Sequence, residues 1–283
     1  MTAVPPTASV TLSVLLPELP NVGDHHIAGK ATVPAVELLE LLARSVAEHR
    51  GWNELPRPLA MTAVALPRFL PVEEVPRCTF EVALADQAAG TRATLTSRIA
   101  LAGGMRRARV HAELTLAPAA PPPPRPPPVV ACDCEVPAER IYRELIPFGP
   151  RYRNLRGTIR LGPAGAMGTV ASPEPQRTPP PLAGCPYLLD AAMHLACVWG
   201  QRYAGYVAYP TGFAARLLLD PTPAGQRQCL VLPTSVATRR LVCDLWLFDE
   251  RGALADLVSG LAMSPLAAGA PPPAWITLGP ERA

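Results

Sequence analysis

Residues Pro34–Arg50 read PAVELLELLARSVAEHR, and residues Tyr187–Gln201 read YLLDAAMHLACVWGQ. These are the chain's two long apolar helical stretches, and what lies around each decides the fold. In the first, Val36, Leu39, Ala43 and Val46 recur at helical spacing, with Pro34 suited to the first turn and Gly51 to the stop. Alternating runs rich in β-branched residues surround it: Ser9–Leu16, Leu59–Leu66, Cys78–Ala85, Arg92–Ala100 and Met105–Leu116. A short amphipathic helix, Pro137–Leu145, and two strands, Thr158–Leu161 and Met167–Ala171, precede the second long helix. Val207–Leu218, Gln228–Thr238, Arg240–Phe248 and Ala253–Met263 follow it as strands. The two halves share a pattern, not letters: one helix laid against several antiparallel strands, which covers the apolar face of a sheet.

Proline divides the chain. There are 37 in 283 residues, against a usual share of about 5%. The run PAAPPPPRPPP at Pro118–Pro128 cannot pair in a sheet or continue a helix, so it should lie extended as a spacer. The expected organisation is a first unit over 1–117, a Pro-rich linker over 118–131, a second unit over 132–268 and a loosely held Pro-rich tail over 269–283.

Composition excludes several classes. With 49% hydrophobic and 17% charged residues the chain can bury a core and is not a disordered tail. A net charge of +3 is far from a nucleic-acid footprint, so no nucleic-acid partner is expected. No uncharged apolar stretch long enough for a membrane span escapes interruption by proline, and MTAVPPTASV lacks the basic and apolar regions of a secretion signal. Lys30 is the only lysine, and nothing around it suggests a Schiff base. The seven scattered cysteines form no CxxC pair, and the CxC at Cys132 and Cys134 has no partner at zinc spacing. They read as reduced thiols of a cytoplasmic protein, several of them small buried hydrophobes.

Three constellations could carry chemistry. His25, Gly29 and Pro34 stand as H-x3-G-x4-P in a loop that feeds the first long helix, where backbone N–H donors and a partial positive charge gather. The bland alternative is a loop histidine hydrogen-bonded to backbone. Asp190 and His194 lie one turn apart on one face of the second helix, flanked by LL and LACVW. Burial there would raise the carboxyl pKa and prepare it to hold and donate a proton; the alternative is an ordinary partly exposed Asp–His pair. Phe148-Gly149-Pro150-Arg151-Tyr152 is either a turn lining a substrate tunnel or a packed turn, with Arg151 and Arg153 as a solvated basic pair.

Taken in order, these segments resemble the dehydratase domains of polyketide synthases and their fatty-acid synthase relatives. The similarity spans roughly residues 8–265 and rests on His25, Gly29 and Pro34, on Ile27 two residues after the histidine, on Asp190 followed by His194, on Phe148, Gly149, Pro150 and Tyr152 in place of Tyr-Gly-Pro-x-Phe, and on Tyr209-Pro210. Two departures stand out: Ala35 follows Pro34 where the family has Gly, and the aromatic pair is exchanged, which takes a hydroxyl away from position 148. The resemblance implies an α+β double hot-dog, two antiparallel sheets each wrapped around a long helix. It also implies dehydration of a β-hydroxyacyl thioester held on the phosphopantetheine arm of an acyl carrier protein, with no other cofactor. In that reading His25 is the general base, Asp190 the protonated acid, and His194 orients Asp190. Backbone N–H groups after Pro34 or at Gly149 would polarise the thioester carbonyl. A cyclase on the same fold, or a non-catalytic module that binds carrier protein, are the alternatives. Starting at Met1 with no neighbouring domain, the chain is expected to act in trans. Its oligomeric state stays open, since two such units in one chain already mimic the common hot-dog dimer.

Overall fold

A computed structural model of the chain describes residues 9–16, 22–53, 55–100, 105–117, 122–125, 127, 131–173, 180–222, 225–266 and 271–277. The first unit is built from β1 (Ser9–Val14), a two-residue hairpin of β2 (His26–Ile27) and β3 (Lys30–Ala31), helix α1 (Ala35–Arg50), and strands β4 (Leu59–Ala65), β5 (Cys78–Gln87), β6 (Gly90–Ala100) and β7 (Arg106–Ala117). The second holds β8 (Cys134–Pro137), α2 (Ala138–Glu144), β9 (Leu155–Gly162), β10 (Gly165–Ala171), α3 (Pro186–Tyr203), β11 (Ala208–Leu218), β12 (Gln226–Ala237), β13 (Arg240–Phe248) and β14 (Leu254–Pro265).

Pro34 caps α1 with extended dihedrals, one position ahead of the expected first turn, and Gly51 ends it at φ 64. That left-handed conformation suits glycine and returns the Gly51 N–H to Glu48 O at 3.1 Å. Val36, Leu39, Ala43 and Val46 are all buried, as their spacing requires. α3 is apolar nearly all round, and its buried residues run without a break from Pro186 to Gln201. A helix of this kind needs cover on every side, and the curved sheet with α1 supplies it.

All long strands join one antiparallel sheet in the order β1-β5-β6-β7-β4-β11-β14-β13-β12-β10-β9-β8. The two expected sheets therefore meet edge to edge, where β4 pairs with β11 from Leu59↔Leu218 to Ala65↔Gly212. Each half still wraps its own long helix, so the architecture is a double hot-dog. The main apolar core runs through both halves and contains α1 and α3 together, with a smaller cluster of Leu217, Leu230, Trp246 and Leu257 apart from it.

Residues 118–121, 126 and 128–130 of the expected linker, and 269–270 and 278–283 of the expected tail, lie outside the described residues. The rest of the tail departs from expectation. Ile276 is fully buried, and Arg140 stacks its guanidinium 3.6 Å from the centre of the Trp275 ring. An indole and an isoleucine remove more apolar surface from water than a free tail would, and that holds the segment down. All seven cysteines are free, and Cys185, Cys197, Cys229 and Cys243 are buried. No helix among the described residues is long and apolar enough to cross a membrane.

Candidate active site

His25 sits between a 3-10 turn at Val22–Asp24 and the β2–β3 hairpin. The hairpin turns at Ala28 and Gly29, both with positive φ, so the glycine of H-x3-G-x4-P serves the tight reversal that places the ring. Nδ1 of His25 lies 3.0 Å from the Thr32 carbonyl oxygen. A carbonyl can only accept, so Nδ1 carries the ring proton and Nε2 keeps its lone pair. Burial lowers the His25 pKa below 6.5 against the attraction of Asp190, which favours this neutral form.

Nε2 faces Asp190 Oδ1 at 3.8 Å, although the two residues come from different halves of the chain. His25 is 5% and Asp190 6% exposed. The other carboxylate oxygen, Oδ2, is 3.0 Å from His194 Nε2, but the approach lies off the ring N–H direction, and neither atom makes an aligned hydrogen bond. The expectation that apolar surroundings keep Asp190 protonated is corrected here. Burial does oppose ionisation, but the pull of His194, with a further one from His25, more than offsets it, and the carboxyl lies below the ordinary carboxylate value.

Tyr142, on α2, is the member of the site that sequence reading missed. Its hydroxyl accepts the backbone N–H groups of Asn154 and Leu155 at 2.9 and 2.8 Å and lies 3.2 Å from His194 Nδ1. With two donors already on the oxygen, the phenolic proton goes to Nδ1, which places the ring proton of His194 on Nε2, facing Asp190. Tyr142 stands in an ordinary amphipathic pattern. Only the spatial meeting of α2 with α3 shows its role.

The Phe148–Tyr152 turn is pinned against the His25 loop. Gly149 N–H donates to Asp24 O at 2.7 Å, and Arg151 N–H to Asp24 Oδ2 at 3.0 Å. A Cβ at Gly149 would stand 2.2 Å from the Asp24 carboxylate, so glycine is needed there for close approach. The engaged Gly149 N–H is not available to polarise a thioester, which corrects that expectation and leaves the N-terminus of α1. Phe148 packs its ring 4.4 Å from His25 and 4.9 Å from His194, and Tyr152 meets His25 edge-on at 5.2 Å. Arg153 is exposed and donates to Phe148 O at 2.6 Å, while the half-buried Arg151 donates to the Tyr187 hydroxyl at 3.2 Å.

A largely apolar cavity of about 730 Å³ opens from this cluster; His25, Gly29, Phe148, Asp190 and His194 line it, as do Tyr209 and Pro210. Pro34, Gly149, Pro150 and Tyr152 are not among the residues that line it. A neutral imidazole base facing a carboxylate across an apolar channel can move a proton between two sites on one bound molecule.

A family model described as the polyketide synthase dehydratase N-terminal domain matches residues 119–273, more than half of the chain. The chain belongs to the polyketide synthase dehydratase family. Family members carry out dehydration in polyketide biosynthesis, and the chain is a hydro-lyase of that kind. The dehydratase domain from the CurJ module of curacin polyketide synthase is 18% identical, with a TM-score of 0.71 over 94% of this chain and 95% of its own. The dehydratase domain of RzxB from Pseudomonas fluorescens is 17% identical, with a TM-score of 0.67 over 91% and 94%. A dehydratase domain of a mycocerosic acid synthase-like polyketide synthase is 16% identical, with a TM-score of 0.71 over 95% of both chains. These likenesses establish the double hot-dog fold. No curated protein matches in sequence.

Proposed function

We propose that the chain removes water from a β-hydroxyacyl thioester carried on the phosphopantetheine arm of an acyl carrier protein and leaves the α,β-unsaturated thioester. The observation that carries this is the 3.8 Å approach of His25 Nε2 to Asp190 Oδ1 across the apolar cavity. Nε2 holds the free lone pair and takes the α-proton. The positive end of α1, whose first residue Ala35 lines the cavity, stabilises the charge that develops on the thioester oxygen. The Asp190 carboxylate accepts the O–H of the β-hydroxyl and fixes the leaving group over the imidazole. Once His25 is protonated, its proton passes to Asp190 and from there to the departing oxygen, so water leaves and the protein returns to its starting state. His194 holds the far side of the carboxylate. No cofactor beyond the carrier's arm is required by these steps.

Incubating the protein with a 3-hydroxyacyl carrier-protein thioester should yield the enoyl product, seen by mass spectrometry as loss of one water. His25→Ala and Asp190→Asn should each lower turnover by roughly a thousandfold or more. Full activity in either variant would overturn the assignment.

A further inference from the structure

Gln201 is only 1% exposed, yet it belongs to the wall of the same cavity as His25. Its Nε2 reaches the Cys197 sulfur at 3.6 Å, while its Oε1 is buried with no hydrogen-bond partner. Turning the amide over would only exchange the orphan, because Cys197 presents a single sulfur and one polar atom is left over either way. A buried amide atom without a partner is costly, and it calls for an explanation.

Position on α3 supplies one. Asp190, His194, Cys197 and Gln201 fall on a single helical face, so all four look into the same channel. Gln201 lies eleven residues beyond Asp190, about 16 Å along the helix axis. Met193 and Cys197 line the wall between them and offer no strong hydrogen-bonding group. Along its α3 wall the channel is therefore polar where chemistry is proposed, apolar in the middle and polar again at the Gln201 amide, while His26, Arg68, His111 and Glu144 line it from other elements. An extended acyl chain covers that distance with roughly a dozen carbons.

We infer that Gln201 is a distal recognition site for a hydroxyl on the acyl chain, about a dozen carbons beyond the reacting centre. A hydroxyl both donates and accepts, so it satisfies the orphan atom in either orientation of the amide. A plain alkyl chain passing the same point leaves that atom buried and unpaired, and the site discriminates against it for that reason. The inference rests on the dehydratase reading for the direction of the chain.

The test is a length series of 3-hydroxyacyl pantetheine thioesters, each compared with its ω-hydroxylated counterpart. For the wild-type protein, kcat/KM should favour the hydroxylated member roughly tenfold near one length and little elsewhere. Gln201→Leu, of similar size, should remove that ratio. A flat ratio at every length, or a ratio kept in folded Gln201→Leu, overturns the inference; if that variant does not fold, the wild-type series decides alone. Calorimetric binding of the same pairs to His25→Ala reads the preference without turnover. If the wild-type protein dehydrates nothing but the binding preference holds and peaks at one length, the dehydratase reading fails and the distal site stands. If both members turn over and bind equally at every length, only the distal site falls.

Discussion

At Asp190 two environments compete, and the outcome explains what a sequence can and cannot show about one residue. The apolar flanks were visible in the letters, and so was His194 one turn on. The resemblance paired Asp190 with His25 from the other half of the chain, but not the balance of forces on it: His194 supplies the larger pull, His25 a smaller one, and together they lower the carboxyl pKa against burial. The tautomers of both histidines are likewise set by groups outside the motifs: the Thr32 carbonyl for His25 and the Tyr142 hydroxyl for His194. That arrangement gives a prediction with a pH signature. Burial lowers the His25 pKa, so the base keeps its neutral form to lower pH than an ordinary imidazole. Turnover should therefore fall on the acid side at a lower pH than an ordinary histidine base would give, as the imidazole gains its proton. Tyr142→Phe keeps the ring but removes the hydroxyl that fixes His194 and receives two backbone N–H groups. It should lower kcat roughly tenfold, with KM little changed. It should also alter the shape of the acid limb, because His194 can then present either nitrogen to Asp190. A parallel loss of kcat with an unaltered pH profile would mean that Tyr142 only holds the fold.

Among the elements, the long helices and long strands were legible because each carries many turns or repeats of one period; α1 begins one residue past Pro34, and β5, β6, β7 and β13 fall close to their expected runs. The four-residue β8 and the two-residue strands β2 and β3 were not, since so few residues carry no period at all. β9 was seen only in its second half, because Gly157 at φ 63 breaks the alternation after Arg156. What no pattern reveals is how elements are tied. Glu40 lies on α1 among apolar neighbours, and its carboxylate accepts the N–H groups of Leu182 and Ala183 at 2.9 and 2.8 Å, just ahead of α3, while Arg44 pairs with it at 2.7 Å. This one side chain joins the helix that follows the His25 loop to the entry of the helix that carries Asp190. Glu40→Leu adds apolar surface but strands two backbone donors and leaves Arg44 only its bond to Pro180 O, and it should destabilise the protein by about 3 kcal/mol. Glu40→Gln keeps an acceptor and should cost roughly half as much. Urea midpoints at constant m-value would measure both, and a neutral or stabilising Glu40→Leu would show that the tie is dispensable.

For the whole molecule the decisive feature is the seam where β4 meets β11. Two hot-dogs with separate sheets would each own a core; here the ladder continues across the seam and the core holds α1 and α3 together. Period and composition set out two similar halves in the sequence, but edge-to-edge pairing depends on which strands are left open, and that follows from topology alone. The site inherits the consequence: His25 and Asp190 face each other only while the seam is closed. Gly212 sits in it at φ 148, and a Cβ there would stand 2.2 Å from the Val64 carbonyl oxygen. Gly212→Ala should therefore force β11 away from β4, costing about 2 kcal/mol and lowering turnover at the same time. Hydrogen exchange under increasing denaturant reads the coupling directly. In the wild-type protein, amides of α1 and α3 should lose protection at one common concentration, because neither core is complete without the other. In Gly212→Ala both should shift together to a lower one. If α3 kept its protection after α1 had lost it, the halves would be independent domains, and the geometry of the site would have to be held by the loops around Asp24 and Gly149 instead of by the sheet.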